Sequence, residues 1–228
     1  VVSTGFRRLT LVGLAGPFRT IIDGLSSGPV VELGAEAVEL VGFTLTNGAH
    51  PDGAGVLVSG GSPTLRNLII SNGMGRGVRA AGGGTVTLEN VLISGCSTEE
   101  LGGGLLVTEG TTLRGSNLRV CGNDASDGGG IAIESGDAML TNVILGANRA
   151  SVGDGGGILV ADGAEVALYN AVLYGNEASG SGGGARGPAE TGSLTIQSSI
   201  VSVNTATSGG GVWGEYGRID IVDSDLYG

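Results

Sequence analysis

The run Gly155-Gly156-Gly157-Ile158-Leu159-Val160, followed by Val166-Ala167-Leu168 and Ala171-Val172-Leu173 and closed at Asn176, decides the fold. Each apolar run is short and bounded by Gly, Asp or Asn, the punctuation of brief strands and not of helices. The pattern recurs. Triple glycines end at Gly104, Gly130, Gly157, Gly184 and Gly211, separated by 26, 27, 27 and 27 residues. A fixed period of this size is the mark of a solenoid in which each repeat is one turn of a coil.

Aligned on those glycines, Leu45, Ile70, Ile93, Val120, Leu145, Leu173, Val201 and Leu226 form an aliphatic column, and so do Leu40, Leu65, Leu88, Leu140, Leu168, Ile196 and Ile221. Between them stand Glu39, Thr64, Thr87, Arg114, Thr195 and Asp220, or Arg66, Glu89, Ser116, Thr141 and Gln197. This is the period-two alternation of a strand with one dry and one wet face. The expectation is an all-β chain, a parallel β-helix with three short strands per coil of about 27 residues and roughly eight to nine coils. It forms a single domain over residues 1–228, a rod on the order of 40 Å long at ~4.8 Å per coil.

Composition narrows the function. Glycine occupies 48 of 228 positions, yet 40% of residues are apolar, which argues against disorder. No apolar run approaches a membrane-spanning helix, so no membrane insertion by this segment is expected. Formal charge is −11 and all eleven basic residues are arginine, which makes nucleic acid a poor partner and excludes a lysine-bearing phosphate loop.

The stretches Thr20-Ile21-Ile22-Asp23-Gly24 and Val38 to Gly48 resemble the opening coils of bacterial right-handed parallel β-helix proteins. Leu145 to Asn148, Leu173 to Asn176 and Val201 to Asn204, each followed by a Gly-Gly-Gly-apolar run, resemble the paired motifs of polymorphic outer-membrane proteins, though Leu or Val stands where that family carries Phe. The resemblance implies a right-handed coil, a bacterial source, and an autotransporter passenger or adhesin that is secreted or held at the cell surface.

Two asparagine columns stand out. Asn67, Asn90, Asn117, Asn142 and Asn170 precede the last strand of successive coils, and Asn148, Asn176 and Asn204, with Asn123, follow it. Stacked amides satisfy turn backbone that burial would otherwise leave unpaired, so both columns read as structural ladders. The turn acids Glu109, Glu134, Asp137, Asp162, Glu165, Glu190 and Glu215 offer oxygen ligands of the kind calcium takes, but their register drifts. A solvated anionic ridge is the stronger reading, and neither a metal site nor a cofactor is assigned. Cys96 and Cys121 fall on adjacent coils two columns apart and are candidates for a disulfide or for two free thiols.

A solvent-facing column should be polar, yet Ile69, Leu92, Ile144, Val172 and Ile200, broken by Arg119, is apolar and reads as an interaction stripe. Leu57, Leu106, Leu159 and Trp213 make a weaker one, interrupted by Arg79 and Arg186. With His50 as the single histidine, no clustered Asp, Arg or His is visible, and no catalytic residue is assigned. Neither end shows a polar cap: the chain opens on strand-like Val1-Val2 and stops inside a coil at Gly228, as expected of a segment of a longer protein or of a subunit that stacks end to end. The leading expectation is a non-enzymatic extracellular or cell-surface rod or fibre subunit, whose partner is itself or a surface glycan. The alternatives are a carbohydrate-binding β-helix and, behind it, a polysaccharide lyase or hydrolase.

Overall fold

The computed structural model describes residues 2–4, 8–34 and 37–227, which are strands and turns without a helix. Val1 and Gly228 lie outside the described residues. Every strand pairing is parallel, and each strand pairs with its counterpart one coil away, the arrangement of a β-solenoid. A nine-stranded sheet runs from Val2–Thr4 through Leu105–Val107 to Val212–Trp213, which defines about eight full coils. A fourteen-stranded sheet carries the other two strands of each coil. In Thr64–Ser71, Thr85–Ser94, Thr111–Cys121 and Gly136–Gly146 those two are joined into one bent strand. A third, four-stranded sheet adds a short fourth strand to the later coils, from Asp124–Ala125 to Thr205–Ser208. Its strands are two to five residues long and carry Ala, Ser, Thr and Gly in place of large apolar side chains, so no hydrophobic period signals this sheet in the sequence.

The coil corners are single residues in the left-handed region. Asn67, Asn90, Asn117, Asn142 and Asn170 have φ of 51–54° or 55°, and Ser198 and Asp223 continue the column at 52° and 49°. Asn and Asp tolerate this backbone better than other side chains because their short polar groups bond locally. The first glycine of each triple, such as Gly128 at φ 59°, makes another corner. The second and third face a different constraint: a Cβ on Gly130 would lie 2.5 Å from Gly157 O and 2.9 Å from Asn148 Nδ2. There the neighbouring coil's backbone fills the space that a side chain would need.

Both inward columns are buried, with Ile70, Ile93, Val120, Leu145, Leu173 and Val201 all at 0% exposure. Gly115 replaces leucine between Leu88 and Leu140, and a Cβ there would sit 2.6 Å from Leu140 Cδ2, so the neighbour occupies the gap. In the last coil the columns emerge, with Ile221 39% and Leu226 46% exposed. The 26–27-residue period holds from Val78 onward, whereas the earlier coils, matched by Val31↔Val56 and Val56↔Val78, differ in length.

Candidate functional site

The solenoid has several lateral surfaces, and the Asn columns belong to its frame. In the exposed column each Asn Nδ2 donates to Oδ1 one coil earlier, Asn90 to Asn67 at 3.1 Å and Asn117 to Asn90 at 2.9 Å. The second column is buried: Asn123, Asn148, Asn176 and Asn204 are at most 7% exposed. Asn148 Nδ2 donates to Val120 O at 2.8 Å and to Asn176 Oδ1 at 3.0 Å, while Asn148 Oδ1 accepts from Asn123. Every polar atom of such a side chain is spent inside the wall.

Cys96 stands one step before Asn123 in this buried column, and its backbone N–H donates to Asn123 Oδ1 at 3.0 Å. Its side chain points inward against the positions of Gly73 and Gly77, whereas Cys121 lies in the strand and pairs with Ser94. The candidate disulfide between Cys96 and Cys121 is therefore not formed, and both thiols are free. Burial pushes the Cys96 thiol up from its ordinary 9.0 to about 11.

Two of the turn acids, Asp137 and Asp162, and Asp154 on another loop are also committed to backbone. Asp162 Oδ1 accepts from Glu190 N at 2.7 Å, Asp137 Oδ1 from Glu165 N at 3.1 Å, and Asp154 Oδ1 from the N–H and hydroxyl of Ser181. The Glu190 N–H, with further backbone donors, holds the Asp162 carboxyl below its usual range. Among the described residues no three His, Cys, Asp or Glu side chains are grouped to hold a metal ion.

The sequence showed no ionic cluster, but the fold assembles one from four coils. Arg76, 3% exposed, donates from Nε to Leu101 O and from Nη1 to Pro51 O, both at 2.7 Å, and from Nη2 to Glu100 Oε2. Arg79 pairs with Glu109 at 2.9 Å and reaches Asp52 at 3.7 Å, and Thr108 donates to Glu134 beside them. These side chains border a recess of about 370 Å³. The sequence separations hid it, although one signal was present: Arg76 occupies the column of the middle glycines, aligned with Gly103 through Gly77 N donating to Gly103 O and Val78 pairing with Leu105.

The outward apolar column divides in two. Ile69, Leu92 and Val172 are half-buried, while Ile144 and Ile200 are 38% and 43% exposed. Around the latter, Tyr174, 54% exposed, and Val203, 57% exposed, widen the patch. Beside Ile69 and Leu92, the 13–20 segment stands out from the coil, with Pro17 O accepting from Thr44 Oγ1 at 2.6 Å, and forms one wall of a groove of about 810 Å³. In the second stripe Leu106 is buried while Leu57, Leu159 and Trp213 are half-buried, because the corner glycine of each triple folds against that column, as Gly155 does against Leu159. Arg186 stacks 4.9 Å from the Trp213 ring at its far end.

A family described as a right handed beta helix region matches residues 31–178 of the chain. No curated protein and no solved structure matches it.

Proposed function

The chain belongs to the right-handed β-helix family, and from that premise we propose that it acts as a non-catalytic rod at the cell surface or outside the cell, associating through a lateral face. The observation that carries this reading is the outward row Ile144, Val172 and Ile200, exposed at Ile144 and Ile200 and half-buried at Val172, flanked by Tyr174 and Val203 on a parallel sheet. Contiguous apolar area on a rigid surface is the signature of an interface. The ladders and turn acids, by contrast, hold adjacent coils together. The resemblance to outer-membrane passenger repeats supports the surface location and an adhesive role, with a second copy or a glycan as partner.

Sedimentation velocity over a range of concentrations, with negative-stain electron microscopy, tests the reading. The native chain should associate side by side, and the Ile144→Asp/Ile200→Asp variant should remain monomeric with its fold intact. Association unchanged in that variant would remove the row from the account.

A second reading places glycan binding or cleavage at the Arg76–Arg79 recess. What favours it is Arg79 Nε, buried without a hydrogen-bond acceptor among the described residues. Against it, both guanidinium groups are already neutralised by Asp52, Glu100 and Glu109. Turnover of an acidic polysaccharide that disappears in Arg79→Gln would favour this second reading.

A further inference from the structure

We propose that the groove beneath the 13–20 segment is a binding site for a free medium-chain carboxylate, its chain lying along the apolar floor and its acid group meeting Arg119. The walls and floor are carbon: Val12, Leu14, Phe18, Val41, Ile69 and Leu92. Leu14 and Phe18 are 95% and 86% exposed although they sit on a segment anchored to the coil at Thr44. Apolar side chains held out in water by an anchored loop have no role in the core, and they face a concave surface of matching character.

The charge at the far end selects the ligand. Arg119 continues the column of Ile69 and Leu92 and has no carboxylate within 4.0 Å among the described residues, in a chain whose net charge is −11. Arg66, Arg76, Arg79, Arg149, Arg186 and Arg218 are all paired with acids; among the described residues Arg8, Arg19 and Arg114 are open like Arg119, but of these four Arg119 alone lines the groove. A guanidinium group left open at the mouth of an apolar groove is complementary to an amphiphile with one anionic end.

Length and polarity fit the same class. From Thr44 through Ile69 and Leu92 to Arg119 the register advances coil by coil, about 14 Å in all, the length of an extended chain of roughly ten carbons. The amides of Asn90 and Asn117 at the groove's edge each give one N–H to the Asn one coil earlier, and no Asp or Glu lines the groove to receive the hydroxyls of a sugar. This site occupies the earlier coils of the same column as the outward row and ends at Arg119, which pairs with Ile144; Ile200, three coils beyond Arg119, separates it from lateral assembly.

Isothermal titration with decanoate, kept below its micellar concentration, tests the assignment against decan-1-ol and an acidic oligosaccharide. One equivalent of decanoate should bind, and decan-1-ol should bind about tenfold more weakly. Arg119→Gln should erase that difference, Phe18→Ser should weaken both ligands, and Ile200→Asp should leave binding unchanged. Circular dichroism of each variant establishes that the fold persists. Absence of saturable decanoate binding overturns the proposal, as does binding that survives Arg119→Gln and Phe18→Ser. Loss in Ile200→Asp assigns the amphiphile to the exposed row instead, and saturation by the oligosaccharide alone assigns the groove to glycan; either result overturns it.

Discussion

Asn123 donates both its backbone N–H and its side-chain N–H to one oxygen, Oδ1 of Asn148, at 3.1 and 3.0 Å. Asn148 repeats the arrangement toward Asn176, and Asn176 toward Asn204. Each amide thereby ties its coil to both neighbours where no water reaches.

Asn148→Ala leaves the backbone and side-chain N–H groups of Asn123 without their shared acceptor in a buried wall. At about 1–3 kcal/mol for each buried group left unpaired, the loss should reach several kcal/mol. Asn142→Ala, in the exposed ladder, removes two bonds that water replaces and places alanine at φ 55°, for about 1–2 kcal/mol. Urea denaturation of the two variants should rank them in that order.

Glycine substitutions separate two kinds of strain. Gly122→Ala meets no atom within 4 Å and bears only the left-handed backbone at φ 64°, about 1 kcal/mol. Gly130→Ala drives a Cβ into Gly157 O, which cannot yield without opening the coil spacing. Thermal melts should show a small shift for the first and loss of cooperative folding for the second.

The two cysteines should react differently. Native protein treated with a thiol reagent at neutral pH should be labelled at half-buried Cys121 and spared at Cys96, with both labelled after denaturation. The folded state keeps the Cys96 proton to about pH 11, while the unfolded chain releases it near 9.0. Stability from this group is complete below pH 9 and falls as pH rises toward 11, by about 2–3 kcal/mol. Cys96→Ser should flatten that part of the pH–stability curve.

Removing the core should be graded by position along the rod. Leu118→Ala, fully buried in a central coil, should cost about 2–5 kcal/mol by chemical denaturation. Leu226→Ala, 46% exposed in the last described coil, should cost less than 1 kcal/mol.

The sequence by itself determined the coil. Leu65, Leu88 and Leu168 repeat in step with the triple glycines, and because side chains alternate strictly along a strand, that repetition fixes which residues point inward and which strands pair. The Asn columns were legible for the same reason. Only the tertiary structure decided which outward positions are open. Leu106 and Leu159 share a column, but Leu106 is buried and Leu159 half-buried, since the turn glycines fold over them. The ionic cluster around Arg76 and the groove beside Phe18 were equally hidden. Both arise where irregular turns from different coils meet across the stacking axis, and such meetings depend on turn geometry that no strand period encodes.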